Sequence, residues 1–172
     1  MIKKIGITGG TGLIGKILIK ILKKQNVKFS CYKGDIRNFK KLKDWLKFNK
    51  DIDTIYHLAA IVPTNIVTQN KKKSISVNFK GTKNFFKAAE YVDRNIWFFF
   101  ASTSHVYKPK KNLLKENDIL KPSSFYGKTK LMSENFLLKN KNKKIKICIG
   151  RIFSIFHKNK KKPFFYPVMK SK

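Results

Sequence analysis

The residues Ile2-Lys3-Lys4-Ile5-Gly6-Ile7-Thr8-Gly9-Gly10-Thr11-Gly12-Leu13-Ile14-Gly15 decide the fold. Ile2–Ile7 reads as a short buried strand. Behind the glycines, Leu13, Ile14, Ile17, Leu18, Ile21 and Leu22 recur at helical spacing. Between strand and helix, Gly9, Gly12 and Gly15 stand three apart, as G-x-x-G-x-x-G. Such a unit makes an anion site. Gly9 permits the tight turn, Gly12 lets the main chain approach a pyrophosphate, and Gly15 lets helix and strand pack closely. Free N–H groups at the helix start supply the donors. A merely structural turn would leave the spacing, the strand before it and the helix after it as coincidences.

Further along, Val27, Phe29 and Cys31 alternate with Lys28, Ser30 and Tyr32, giving a second strand over Val27–Tyr32. Phe39, Leu42, Trp45, Leu46 and Phe48 mark a helix, and Asp53–Ala60 a third strand. Ser74–Tyr91 reads as a long helix with Val77, Gly81, Phe85, Ala88 and Ala89 near one face. Ile96–Ala101 is almost continuously apolar, as a strand covered on both faces would be. Ser123–Leu138 is a further helix and Ile145–Ile149 a further strand. Strands alternating with helices imply right-handed crossovers and a parallel sheet. The expected fold is therefore α/β, a Rossmann-like doubly wound parallel sheet with helices on both faces.

A chain of 172 residues with 42% hydrophobic content holds one domain with a real core. No apolar run approaches the roughly 18 residues of a membrane span. The early glycines leave no room for a signal peptide, so no membrane association is expected and the expected location is the cytoplasm. Cys31 and Cys148 alone make neither a disulfide framework nor a four-ligand zinc site, and no metal is expected. Lys and Arg number 40 against nine Asp and Glu; three of the 40 are Arg37, Arg94 and Arg151, leaving 37 lysines. They occur in nearly every segment, Lys71-Lys72-Lys73 and Lys160-Lys161-Lys162 among them. A dedicated nucleic-acid face would concentrate arginine, so no specific nucleic acid is expected.

Asp35 lies 20 residues beyond Gly15, a suitable distance for an acid on the ribose hydroxyls of NAD. Lys33 and Arg37 stand where they would meet a 2′-phosphate, so both NAD and NADP remain open. Tyr126 and Lys130 occupy i and i+4 on one helix face. A nearby ammonium, with an oxidised nicotinamide, would lower the tyrosine pKa from its usual value near 10, so that the phenol passes a proton while a hydride moves. Spacing alone is feeble: Tyr107/Lys111 and Tyr166/Lys170 share it, and six tyrosines in this composition give about 1.3 hits by chance. Context separates Tyr126, which opens a helix after Pro122-Ser123-Ser124. Thr103 lies just beyond the strand Ile96–Ala101, at the carboxyl edge where open α/β sheets bind ligands.

Taken together the motifs resemble the extended short-chain dehydrogenase/reductases, the NAD-dependent epimerase/dehydratase family that acts largely on nucleotide sugars. The matching stretches are TGGTGLIG (Thr8–Gly15), GDIRN (Gly34–Asn38), HLAA (His57–Ala60), VNFKGT around Asn78, ASTSHVY (Ala101–Tyr107), PSSFYGKTK (Pro122–Lys130) and GRIFS (Gly150–Ser154). The resemblance implies Tyr126 as acid/base, Lys130 as its partner and ribose anchor, and Thr103 as a third catalytic hydroxyl. It implies cofactor contacts from Gly9, Thr11, Gly12, Leu13, Ile14, Gly15, Asp35, Ile36, Ala59, Ala60, Tyr126 and Lys130, with Asn78 a structural or cofactor-shell residue. His57, apart from the family, reads as an ordinary strand histidine rather than a base. The resemblance also implies a homodimer through helices 74–91 and 123–138.

Two departures narrow the chemistry. Dehydratases of this family carry an acid just after the catalytic hydroxyl; here Ser104 and His105 stand there, which disfavours water loss. His105 is either a proton donor or base of an epimerase or reductase, or a solvent-exposed strand-end histidine. Members of the family also continue past the GRIFS region into a part that holds the sugar. The chain is accordingly read as an NAD(P)-binding domain over 1–157 and the start of a truncated substrate-binding part over 158–172. The expected function is an NAD(P)-dependent nucleotide-sugar epimerase or reductase; the alternative is a non-catalytic dinucleotide-binding module or inactive fragment.

Overall fold

Five short strands, all parallel, carry the molecule, in the order β2-β1-β3-β4-β5. The computed structural model describes residues 2–62, 69–140 and 142–155. Strand β1 (Ile5–Thr8) leads into helix α1 (Leu13–Lys24), strand β2 (Phe29–Tyr32), helix α2 (Phe39–Phe48) and strand β3 (Thr54–His57). A short helix α3 (Lys71–Ser74), a π-helical stretch (Ile75–Gly81) and helix α4 (Thr82–Tyr91) follow without a break. Strand β4 (Ile96–Thr103), a 3₁₀ turn (Ser104–Val106), helix α5 (Phe125–Lys139) and strand β5 (Ile145–Ile152) complete it.

All four residues of β1 are buried because it is central, with β2 on one side and β3 on the other. One face of the sheet packs Ile5 and Ile7 against Leu18, Ile19 and Leu22 of α1. The opposite face meets α2, α4 and α5 in a larger core that includes Leu42, Leu46, Phe85, Phe86, Phe98, Phe100 and Leu137. Helices on both faces make the sheet doubly wound, as the alternation of patterns requires. The chain reverses direction outward from β1, so the carboxyl ends of β1 and β3 form the crevice where such sheets bind ligands.

Element limits moved where the sheet ends. The third strand stops at His57, not Ala60, because the chain leaves the sheet there and runs along its carboxyl edge. The helix read over Ser74–Tyr91 is interrupted by the π-helical stretch, which periodicity alone does not reveal. Strands β4 and β5 run on to Thr103 and Ile152, each paired to its last residue. Helix starts follow their caps: Asn38 accepts the Lys41 N–H and Ser124 accepts the Gly127 N–H. The 158–172 segment lies outside the described residues. Among the described residues, no helix is long and apolar enough to cross a membrane.

Candidate active site

At the carboxyl end of β1, Gly9 takes φ +73°, a left-handed conformation that glycine adopts freely. A Cβ there would stand 2.6 Å from the Ala59 nitrogen, so the turn lies directly against the chain leaving β3. A Cβ on Gly15 would overlap the Gly9 carbonyl oxygen and reach 2.7 Å from Gly10 Cα, which ties the first turn of α1 to the loop before it. Gly12 differs. A Cβ there would meet only the Gly9 oxygen, at 3.3 Å, and would otherwise enter open space. Gly12 is also the N-cap, with no side-chain cap, and the first intrahelical bond is Lys16 N–H to Gly12 O. The N–H groups of Leu13, Ile14 and Gly15 precede that bond, and no acid occupies the first turn. An uncapped helix end fronted by a glycine fits a pyrophosphate.

The second pole lies past β4. Lys130 on α5 is the lysine that the core takes in among the described residues, at 2% exposure. Its Nζ donates to the Ala101 carbonyl at 2.6 Å and lies over the Phe100 ring, 4.5 Å from the centroid. Burial pulls its pKa down to about 7, against the opposing charge of Glu134. Gly127 makes the approach possible: a Cβ there would overlap the His105 carbonyl oxygen, so α5 rests main chain to main chain on the 3₁₀ turn. The Tyr126 ring meets the exposed His105 ring edge to face, centroids 6.1 Å apart. Thr103 is buried, and its Oγ1 accepts the His105 N–H at 3.3 Å. The structure thus brings Thr103, His105, Tyr126 and Lys130 to one edge.

In the protein alone the Tyr126 pKa is raised, not lowered. Burial pushes Tyr126 up to about 12, and in the protein alone no ammonium offsets it, because Lys130 is turned to the Ala101 carbonyl. The competing pair is separated from this one by its surroundings. Tyr107 is buried, and its hydroxyl accepts a hydrogen bond from Arg151 Nη1 at 2.9 Å, while Lys111 is exposed. Tyr166/Lys170 lies outside the described residues.

Between the poles runs a line of polar groups. Thr82 Oγ1 donates to the Asn78 carbonyl at 2.7 Å, so it accepts from His57 Nε2 at 2.9 Å. With its proton on Nε2, His57 accepts at Nδ1 from Thr8 Oγ1 at 2.6 Å, and Thr8 in turn accepts the Ala59 N–H at 3.4 Å. Fully buried, His57 has its pKa pushed down to about 3, first by desolvation and then by the Lys130 charge. It is a neutral structural group, in line with its reading as an ordinary strand histidine. Asn78 Oδ1 accepts the Ile61 N–H at 2.7 Å, and its Nδ2 donates to the Ile61 carbonyl and to Thr129 Oγ1, both at 3.2 Å. One side chain thereby holds the Ala59–Ala60–Ile61 loop against α5.

Sequence reasoning missed the group that locks the second pole. Glu134 is fully buried and binds Ser102 Oγ on β4 and, through both its oxygens, Arg151 on β5, with Nη2 at 2.8 Å. The signal was available: an acid four residues beyond Lys130, on the same face, in a chain with nine acids. At the adenosine end, Asp35 lies past the end of β2 and its carboxylate is engaged by Arg37, with Nε at 2.8 Å and Nη2 at 2.5 Å. Ile36 is buried behind it, against Gly81.

A doubly wound sheet with a glycine-fronted helix end, and a half-buried tyrosine beside a buried lysine on its carboxyl edge, defines a class: α/β proteins of the dinucleotide-binding type. The family model described as the NAD dependent epimerase/dehydratase family matches residues 5–168, and the chain belongs to that family. Among curated relatives, an uncharacterized UDP-glucose epimerase of Bacillus subtilis (strain 168) is 31% identical over 181 residues, covering 89% of this chain and 57% of the relative. A crystal structure of a dTDP-4-dehydrorhamnose reductase from Clostridium acetobutylicum is 30% identical with a TM-score of 0.74, covering 85% of this chain and 52% of that one. The structure of RMD from Pseudomonas aeruginosa complexed with NADPH shares the fold, with a TM-score of 0.82 at 21% identity, covering 94% of this chain and 57% of that one. The chain spans little more than half the length of each.

Proposed function

We propose that this chain carries the dinucleotide-binding and proton-transfer part of an NAD(P)-dependent nucleotide-sugar epimerase or reductase. The reading rests above all on Lys130, a lysine buried at the sheet's carboxyl edge one helical turn beyond Tyr126, in a member of this family. The relatives named for UDP-glucose and dTDP-4-dehydrorhamnose support sugar nucleotides as the substrate class.

In this reading Gly9, Thr11, Gly12, Leu13, Ile14 and Gly15 hold the pyrophosphate, Asp35 and Ile36 border the adenosine, and Ala59 and Ala60 flank the cofactor with Asn78 behind them. A bound dinucleotide would supply hydride exchange with a sugar carbon. The chain's own residues manage the proton on the oxygen of that carbon. Burial keeps the Tyr126 phenol protonated, so the protein alone presents a proton donor to a keto oxygen. Thr103 Oγ1 takes the His105 N–H on a lone pair, which leaves its own proton for the same oxygen. Lys130 has two N–H groups beyond the one on Ala101, enough for a ribose hydroxyl and the phenol. His105, exposed beside Tyr126, passes the proton to water. A homodimer through helices 74–91 and 123–138 belongs to the same reading and is testable by sedimentation.

Tyr126→Phe is the test. It should lower turnover of a UDP- or dTDP-sugar by about 10²–10⁴-fold with dinucleotide affinity preserved; unchanged turnover would sink the assignment. A second reading, a dinucleotide-binding module without turnover, fits a phenol that burial raises and no ammonium lowers. Saturable dinucleotide binding with no turnover of any sugar nucleotide would select it.

A further inference from the structure

We infer that the sheet face over β4 and β5, with the lysines at its amino end, is a docking surface for single-stranded nucleic acid, held without sequence preference. It goes beyond the dinucleotide reading and lies away from that site, which occupies the carboxyl ends of the strands. Successive side chains of β4 point to opposite faces. Phe98 and Phe100 enter the core beneath α2, α4 and α5, so Trp97 and Phe99 stand on the other face. There α1 packs on Ile5, Ile7 and Tyr56, but Trp97 and Phe99 belong to neither core and are half-buried. Their two rings are nearly parallel, 25° apart with centroids at 6.0 Å, and Tyr56 meets both, at 5.6 and 5.3 Å. Gly150 on β5 gives the Phe99 ring its place, since a Cβ there would reach 2.5 Å from Cζ.

At the amino end of this platform, Trp97 shares a groove with Asn95, Lys143, Lys144, Lys146 and Asp53. Lys144 pairs with Asp93 at 2.7 Å. Lys143 and Lys146 are exposed, with no carboxylate partner among the described residues. Asp53 spends Oδ2 on the Lys3 main-chain N–H at 2.8 Å and Oδ1 on the Thr54 hydroxyl at 3.0 Å. A ligand here therefore meets two unpaired ammoniums, an aromatic wall and a carboxylate already engaged. Aromatic rings stack on any base, and lysines hold phosphates as point charges without reading sequence. In a duplex the bases stack on one another, so a single strand alone can use both. A second copy of the chain fits badly, since each copy carries a net charge of +31 and two would repel.

The experiment titrates a fluorescein-labelled oligothymidylate of about 15 nucleotides with the full chain, by anisotropy, between about 0.05 and 0.3 M salt. A duplex of the same length carries twice the charge, so bulk attraction alone would favour it. The single strand should instead bind about tenfold more tightly. Trp97→Ala should weaken that binding about tenfold and leave its dependence on salt unchanged. Lys146→Ala should lower the slope of log affinity against log salt by about 0.7. Lys87→Ala, which removes the same charge from an exposed position on α4, should change neither. If Trp97→Ala fails to fold, the lysine pair decides. Equal or tighter duplex binding, equal effects of Lys146→Ala and Lys87→Ala, or a folded Trp97→Ala that binds like the unmodified chain would overturn the surface. So would displacement of the oligonucleotide by NADH, which would place it at the carboxyl edge. Each of these results leaves the dinucleotide reading standing.

Discussion

The two poles of the candidate site are made of different material. After β1 the contacts are main chain: a left-handed glycine, an uncapped helix end and three N–H groups, with no acidic side chain in the first turn of α1. After β4 they are side chains: a buried lysine on a carbonyl, a raised tyrosine, and a buried carboxylate between a serine and an arginine. Main-chain donors need only space and direction, so one pole is defined by what glycine leaves out. The other needs charges desolvated and paired, so it depends on three elements arriving together. The first pole presents main-chain donors, which do not titrate. The second holds a buried ion pair and a lysine whose pKa burial lowers, so it registers pH.

Substitutions should separate the poles. Glu134→Ala would leave Ser102 Oγ and the Nε and Nη2 of Arg151 without their acceptor and should cost about 3–5 kcal/mol of unfolding free energy by urea titration. A loss under about 1 kcal/mol would mean the side-chain pole does not hold β4, α5 and β5 together. Next comes pH. The folded pKa of Lys130, about 7, lies below its unfolded value near 10.4, so the unfolded chain binds the extra proton between them and stability should rise with pH across that window. His57 at about 3 gives the matching acid limb, with stability falling as pH drops from 6.5 toward 3 by on the order of a few kcal/mol. Lys130→Met and His57→Asn should each flatten their own limb; a profile unchanged by either would break the contrast. Smallest is Gly12→Ala. Its Cβ meets one carbonyl oxygen at 3.3 Å, so stability should hold to within about 1 kcal/mol while dinucleotide affinity falls about tenfold. Equal damage to stability would show that this turn, too, is structural.

The same contrast explains what was legible in the sequence. The glycine pole is local: Gly9, Gly12 and Gly15 lie within seven residues, so spacing announces them. The parallel, doubly wound sheet followed from alternation, because a crossover helix must bring the chain back to start the next strand in the same direction; the strand order did not. That Tyr126 and Thr103 would meet at the sheet's carboxyl edge was legible through their flanks, a helix start and a strand end. The direction of the Tyr126 shift was not, since it depends on how deeply α5 settles against the 3₁₀ turn, which Gly127 decides through contact with His105. Glu134 and Arg151 meet across 17 residues and the π-helical stretch forms around Asn78; neither leaves a periodic trace. Lysine abundance made the Tyr126/Lys130 spacing feeble by itself; the motif around it named Lys130, and burial sets it apart from the other described lysines.

The row from Ala59 through Thr8, His57 and Thr82 to Asn78 has a direction. It begins at an amide that can only give and ends at a carbonyl that can only receive. Every member between must therefore take one proton contact and hand on one, in the same sense. Two hydroxyls and a neutral imidazole obey that parity; an ammonium, which only gives, or a carboxylate, which only receives, would reverse half of the row and strand one end. What this row requires at position 57 is thus a group that conserves orientation, and basicity is incidental to it. An amide side chain, with a carbonyl on one side and an NH₂ on the other, obeys the same grammar, and position 57 would accept it before it accepted a charge.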